Sequence, residues 1–383
     1  MKILFITDGL YPFVIGGMQK HATYVLQRFA NTEDEVTVIT TGSRFISEDE
    51  FATEIFEGQM PSNIRMVFVP FPASKSFPGH YIWSSWSYSK KIGKIWSQRL
   101  KEFDIVYAKG FSSWYLLKKK RDWYPPVVVQ LHGLEMFQKP YGFRDKLVKR
   151  LLRIPASTII SRCDYIFSYG GKIRELLVNL GVSPNRILEQ YGAADAFWIN
   201  PEPEMKSQDV PVMLMVARYE FRKGHHILNA ALQTLIQSGF PLQLNVIGEV
   251  PETARVHHPK IHYLGNRQAE YIKNLADNAS LILLPSLAEG FPTILVEAMA
   301  RGLAPIATNV GAVASIVNSE NGWLISPDSA SALANAIKEA CSDSHILHQK
   351  RMRSRNMVLD QFQWDSMFQS LVSHLHFIRN DHR

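Results

Sequence analysis

Apolar residues along the chain fall in short, nearly unbroken runs set between longer amphipathic stretches. In the first half the runs are KILFIT (2–7), EVTVIT (35–40), RMVFVP (65–70), DIVYA (104–108), PVVVQLH (126–132), YIFSY (165–169) and RILEQY (186–191). In the second half they are VMLMVA (212–217), LQLNVIG (242–248), IHYLG (261–265), LILLP (281–285), APIAT (304–308) and GWLIS (322–326). Runs of β-branched and apolar residues without polar alternation fit strands covered on both faces. Helical patterns lie between them, so the chain predicts an α/β protein with two doubly wound parallel sheets. The polar stretch INPEPEMKSQDV (199–210), with two prolines, separates the two sets. This places a first domain at 1–196, a linker at 197–210 and a second domain at 211–365. In such sheets ligands bind outside the carboxyl ends of the strands, so each domain is expected to offer its strand-end loops to a cleft between them.

Composition narrows the class. The chain has 383 residues, 46% hydrophobic and 20% charged, which suits two globular domains and excludes a disordered polymer. No apolar run reaches the roughly 18 residues of a membrane-spanning helix. Asp8 interrupts the opening run too early for a signal peptide. Cys163 and Cys341 supply neither a disulfide framework nor a zinc set and fit a reducing cytoplasm.

Charge is unevenly spread. Residues 1–199 hold 26 Lys and Arg against 18 Asp and Glu, whereas the remainder holds 16 against 17. Within 80–160 the ratio is 16 to 5, including KKKR (118–121) and the helix-like FRDKLVKRLLRI (143–154). Trp83, Trp86, Tyr88 and Trp96 lie among these cations. Basic helices with interfacial aromatics suit an anionic membrane surface, which makes peripheral attachment one reading; a solvated basic face is the other. No nucleic-acid motif accompanies the charge, so no nucleic-acid partner is expected.

Four loops carry candidate chemistry. After the first strand, Gly16 and Gly17 open a helix, where a glycine pair lets backbone amides approach an anion, although a plain tight turn explains it equally. This is not a dinucleotide fingerprint. His132, in LHGLE (131–135), follows a buried strand, either as a ligand-facing group or as a capped core histidine. In VARYEFRKGHHIL (216–228), Arg218 and Lys223 flank a turn between a strand end and a helix start. Two such cations can form a diphosphate clamp; two solvated surface cations is the other reading, less apt for both than for one. In AEGFPTILVEAM (288–299), Glu289 lies in the loop before a helix and Glu297 in its second turn, about 7 Å further along at 1.5 Å per residue. Pro292 suits the first helical position and Gly302 the stop. The amides of Phe291 and Thr293 are left unpaired at the helix start, where the dipole favours an anion. Two carboxylates with amides and cations between them suit a ligand with hydroxyls at both ends and a diphosphate in the middle, that is, a nucleotide sugar.

With these loops in order, the chain resembles the retaining glycosyltransferases of family 4, with the GT-B fold, over almost its whole length. EGFPTILVEAM matches that family's E-x7-E motif. VARYEFRKG resembles its phosphate segment. VIGE, IHYLGNR and NGWLISPDS resemble further landmarks, and QFQWDSMFQSLVSHL (361–375) resembles its closing helix, which implies that residues of about 366–383 return to the first domain. The resemblance implies that Glu289 binds donor-sugar hydroxyls and Glu297 the ribose. It implies that Arg218 and Lys223 hold the diphosphate, and that Gly290, Phe291, Pro292 and Thr293 line the pocket. Gly16 and Gly17 would approach the phosphates, His132 the reacting sugar, and Arg267 the base. Departures occur at YGAAD (191–195) and at GAVAS (311–315), where Ser315 replaces the usual Glu.

The expected activity is transfer of a hexose, with retention, from a nucleoside diphosphate sugar to an acceptor hydroxyl. UDP-sugars are favoured as donor, and a cell-envelope polysaccharide, lipid-linked glycan or glycolipid as acceptor. No D-x-D motif stands near a strand end, so no metal or other cofactor is expected to be required. Alternatives are a nucleotide-sugar epimerase or phosphorylase on the same scaffold, or a noncatalytic nucleotide-sugar-binding module. A glycoside hydrolase using Glu289 and Glu297 is disfavoured because such pairs flank one bond from opposite sides. A nicotinamide dehydrogenase is disfavoured by the missing fingerprint.

Overall fold

The structure, a computed structural model, describes residues 1–72, 80–199 and 209–382; most of the expected linker lies outside them. Each apolar run forms a strand. The first set is β1 (Lys2–Ile6), β2 (Glu35–Thr40), β3 (Ile64–Phe68), β4 (Ile105–Lys109), β5 (Val127–Gln130), β6 (Tyr165–Ser168) and β7 (Ile187–Glu189). The second is β8 (Val212–Val216), β9 (Gln243–Ile247), β10 (Ile261–Tyr263), β11 (Leu281–Leu284), β12 (Ala304–Thr308) and β13 (Trp323–Ile325). Burial is continuous along the central strands, for example in β4, β5, β6, β11 and β12. Covering both faces with helices explains why these strands read as apolar runs.

The seven-stranded sheet has the order β3-β2-β1-β4-β5-β6-β7, and the six-stranded sheet the order β10-β9-β8-β11-β12-β13. All pairings are parallel. Each sheet starts in its middle, runs outward, then returns to run the other way. The reversal creates a crevice at the strand ends between β1 and β4 and, in the second sheet, between β8 and β11. The loops leaving those four strands are therefore where topology favours a ligand.

The chain separates into two compact units. One comprises Met1–Ser168, Arg174–Gln190 and Phe368–Arg383; the other comprises Tyr169–Ile173 and Tyr191–Met367. The helix Trp364–Asp381 begins in the second and belongs from Phe368 onward to the first. There Phe368 packs edge-on against Phe29 at 4.9 Å, and His374 Nδ1 lies 3.2 Å from Gln190 Oε1.

Local readings needed correction at three places. The helix expected at 143–154 runs through Pro155 to Arg162, because its second half buries Ala156, Ile159 and Ile160. That burial offsets the roughly 3 kcal/mol that an interior proline costs. Pro292 occupies the N-cap rather than the first helical position; its ψ of 88° is not helical, and the helix starts at Thr293. The helix expected near Lys223 starts at His225, after a 3-10 turn at Phe221–Lys223 and Gly224 at φ 73°.

Candidate functional site

In the second unit the two central loops meet. Lys223, at the end of the 3-10 turn after β8, places Nζ 2.6 Å from Oε1 of Glu289, in the loop after β11. Both side chains are largely withdrawn from solvent, at 16% and 6% exposure. Backbone contacts fix this approach. Leu287 N donates to Arg222 O at 2.7 Å, and the Thr308 hydroxyl donates to the carbonyls of Leu284 and Ser286. Gly224 is needed at its position, since a Cβ would fall 1.9 Å from Pro285 O.

Glycine also shapes the far side. Gly311, at φ 54°, lies where a Cβ would fall 2.1 Å from Glu289 O, and Ala312 N donates to Gly290 O at 2.9 Å. The divergent segment 311–315 thus supports the Glu289 loop through its backbone, which the change at Ser315 leaves intact. Phe291 is held by the rings of Tyr169 at 5.3 Å and Phe362 at 6.0 Å.

The amides of Gly290, Phe291 and Thr293 have no hydrogen-bond partner among the described residues, and neither has the buried Ser286 hydroxyl. Such groups at a helix start attract an anion. Glu297 is half-buried in the second turn of the helix Thr293–Ala300. Arg218 follows β8 but faces solvent: its side chain is 76% exposed and its Nε lies 3.2 Å from Glu220 Oε1. His225 Nε2, 3.2 Å from Arg218 O, anchors the Arg218 backbone; burial lowers the pKa of this histidine and keeps it uncharged. Arg267 is exposed, 5.2 Å from the ring of Tyr271. It follows β10, and two strand spacings, roughly 10 Å, separate β10 from β8. The structure therefore joins Lys223, Glu289 and the amides of Gly290, Phe291 and Thr293, and sets Arg218, Glu297 and Arg267 at separate points in the same unit.

In the first unit, Gly16 is the N-cap of the helix Gly17–Phe29. His132, after β5, lies half-buried beside His21 of that helix, with ring centroids 5.4 Å apart and nearly perpendicular. Reading the sequence missed what surrounds them. Lys109, the last residue of β4, is fully buried; its Nζ lies 2.8 Å from His21 Nδ1 and 2.9 Å from Gln130 Oε1. Tyr107 donates to the same Gln130 oxygen at 2.6 Å. Asp8, after β1, accepts from Gln19 Nε2 at 3.2 Å. Burial pushes the Asp8 carboxyl up to about 6, against the opposing pull of hydrogen bonds and Lys109. It also drives Lys109, His21 and His132 toward their neutral forms. Gln130 Nε2 is buried without a partner among the described residues, at a cost of about 1–3 kcal/mol. The only signal was weak: Lys109 closes the apolar strand DIVYAK, a place from which a lysine can equally reach solvent.

Two doubly wound parallel sheets with polar loops at both reversal points define a class. Residues 15–189 match the family model for glycosyltransferase family 4, and residues 196–357 that for glycosyl transferases group 1. The chain belongs to this family and is a GT-B glycosyltransferase. Glycogen synthase of Mycobacterium tuberculosis is 21% identical over 394 residues, covering 96% of this chain and 92% of that protein. The capsular polysaccharide biosynthesis glycosyltransferase CapM of Staphylococcus aureus is 27% identical over 164 residues, 40% of this chain and 43% of its own. Among solved structures, sucrose-phosphate synthase from Thermosynechococcus elongatus superposes with a TM-score of 0.77 at 16% identity, covering 99% of each chain. HepE of Anabaena, solved in complex with UDP, gives 0.69 at 17% identity, covering 98% of this chain and 100% of that one. These structural likenesses are of fold.

Proposed function

We propose that the protein transfers a hexose from a UDP-sugar to a hydroxyl of a cell-envelope glycan, lipid-linked glycan or glycolipid, with retention at the anomeric carbon. The observation that carries this reading is the Lys223–Glu289 pair at the reversal point of the second sheet, beside the unpaired amides of Gly290, Phe291 and Thr293. In this reading the diphosphate takes Lys223 and those amides, with Arg218 swinging in from solvent. Release of Lys223 frees Glu289 to accept hydrogen bonds from sugar hydroxyls. Glu297 takes the ribose and Arg267 the base, at the offset that two strand spacings supply. Gly16 and Gly17 would approach the phosphates, and His132 the sugar.

The acceptor hydroxyl attacks the anomeric carbon on the face that the diphosphate leaves. A carbon–oxygen bond forms as the bond to phosphate oxygen breaks, and the hydroxyl proton passes to the departing diphosphate. Lys223, Arg218 and the amides stabilise the charge that develops there, the task a divalent metal performs elsewhere. UDP is favoured because a protein of the same fold was solved with it. A surface glycan is favoured because a relative is a capsular polysaccharide biosynthesis enzyme.

The test is incubation of the protein with a panel of nucleotide sugars and acceptors, with and without EDTA. Product mass reports transfer, and the anomeric proton coupling reports configuration. Sugar transfer from UDP-hexose with retained configuration, insensitive to EDTA, is expected. Inverted product, strict metal dependence, or epimerised donor without transfer would overturn the reading.

A further inference from the structure

The buried cluster at the reversal point of the first sheet contains more polar machinery than packing calls for. β4 is buried throughout, and an aliphatic residue would close it without the cost of burying an amine. Lys109 stands there instead, and both of its hydrogen bonds go to uncharged groups, so the charge of Asp8 acts on it only without direct contact. Gln130 Oε1 accepts from Tyr107 and from Lys109, which fixes the amine in place. We assign the second donation from that amine to the Nδ1 of His21, 2.8 Å away. A neutral imidazole that accepts at Nδ1 carries its proton on Nε2. The His21 ring stands edge-on to His132, at 78° between planes.

We propose that Lys109 is a positioning residue: it holds His21 as the Nε2–H tautomer, and the His21 edge in turn fixes the ring of His132 toward the sugar. The part of this inference that concerns the sugar rests on the function proposed above; the tautomer part does not. Other groups facing the cluster are Asp8 after β1, Gln19 and His21 from the helix Gly17–Phe29, and Tyr88 from the helix His80–Trp96, whose hydroxyl donates to Thr7 O at 2.7 Å.

The test compares Lys109→Met, which keeps the apolar stem and removes the donor, with Lys109→Gln, which keeps a donor. Histidine-ring 15N spectra of the wild type are expected to show His21 in the Nε2–H form, with the Nδ1–H form gaining population in Lys109→Met. If UDP-hexose transfer holds, kcat in Lys109→Met should fall about 10- to 100-fold, the range for a misplaced reacting group, while the donor KM barely changes. Lys109→Gln should recover part of that loss. A wild-type His21 in the other tautomer or as imidazolium overturns the proposal. So does an unchanged tautomer in both variants, unchanged kcat in Lys109→Met, or an activity loss that follows melting temperature in both. Should no donor be turned over by the wild type, the functional reading fails while the spectra still decide the tautomer.

Discussion

At the scale of single residues, the site separates stability from binding. Arg218 is exposed, so Arg218→Ala should change unfolding free energy by no more than about 0.5 kcal/mol. Loss of a charged hydrogen bond to diphosphate should nevertheless weaken UDP binding by about 1.5–3 kcal/mol, measured by calorimetry. Glu289 is different. Removing it by Glu289→Ala strands a largely buried Lys223, which costs up to about 3–5 kcal/mol for a fully buried pair. Glu289→Gln keeps an acceptor for Lys223 and is the cleaner probe: turnover should collapse with a smaller shift in urea midpoint. Wild-type turnover in that variant would remove the proposed role.

Asp8 gives a second residue-scale outcome. Its folded pKa of about 6 lies above the model-compound value of 3.8, so the folded state binds the proton more tightly. Below about pH 4 the residue is protonated in both states, and its contribution is fully present. As pH rises toward the folded value, the unfolded chain ionises first, and up to about 3 kcal/mol of stability is lost by pH 7. Asp8→Asn cannot titrate. Its stability relative to wild type should rise by about that amount between pH 4 and 7, measured by urea unfolding at each pH; a difference that does not vary with pH would refute the assignment. These groups differ in legibility. Lys223 and Glu289 were legible as charges in loops that follow apolar strands, but their pairing was not. The Lys109–His21–Gln130 contacts were not, because residues 88 and 21 positions apart meet only once the sheet forms.

At the scale of elements, the strands were readable since burial on both faces leaves an unbroken apolar signature, whereas crossover rules only narrow the strand order to a few choices. Helix ends were less so. Pro155 signals a stop, but burial of the following turn outweighs it, and the start at His225 is set by Gly224, whose positive φ no local pattern announces. Gly224→Ala should therefore be severe. The strained φ alone costs about 1–3 kcal/mol, and the Cβ would collide with Pro285 O, displacing the loop that leads to Glu289. Gly17→Ala makes a sharp contrast. Gly17 lies within the first turn of its helix, and a Cβ there meets nothing within 4 Å. Stability should rise by about 0.5–1 kcal/mol. If Gly17 approaches phosphate as proposed, UDP affinity in that variant should nonetheless fall; unaltered affinity would assign this glycine to the turn alone.

At the scale of the molecule, charge and exposed apolar surface coincide on one element. The helix Phe143–Arg162 exposes Phe143 at 82%, Leu147 at 49% and Ile154 at 58%, on one stripe at helical spacing. Arg144, Lys146, Arg150 and Arg153 are exposed beside them. No helix among the described residues is long and apolar enough to cross a membrane. An exposed apolar stripe edged by cations suits the headgroup region of an anionic bilayer, which would bring a lipid-linked acceptor to the first unit. Vesicles containing phosphatidylglycerol should cosediment with the protein, and vesicles of phosphatidylcholine alone should not. Each of the four cations near the surface contributes about 1 kcal/mol, so replacing all four by Gln should abolish sedimentation, and raising salt should weaken it progressively. Phe143→Ser should weaken it with no change in salt dependence, because the apolar and electrostatic parts are separate. Binding indifferent to lipid charge and to salt would return this face to the role of a solvated basic surface.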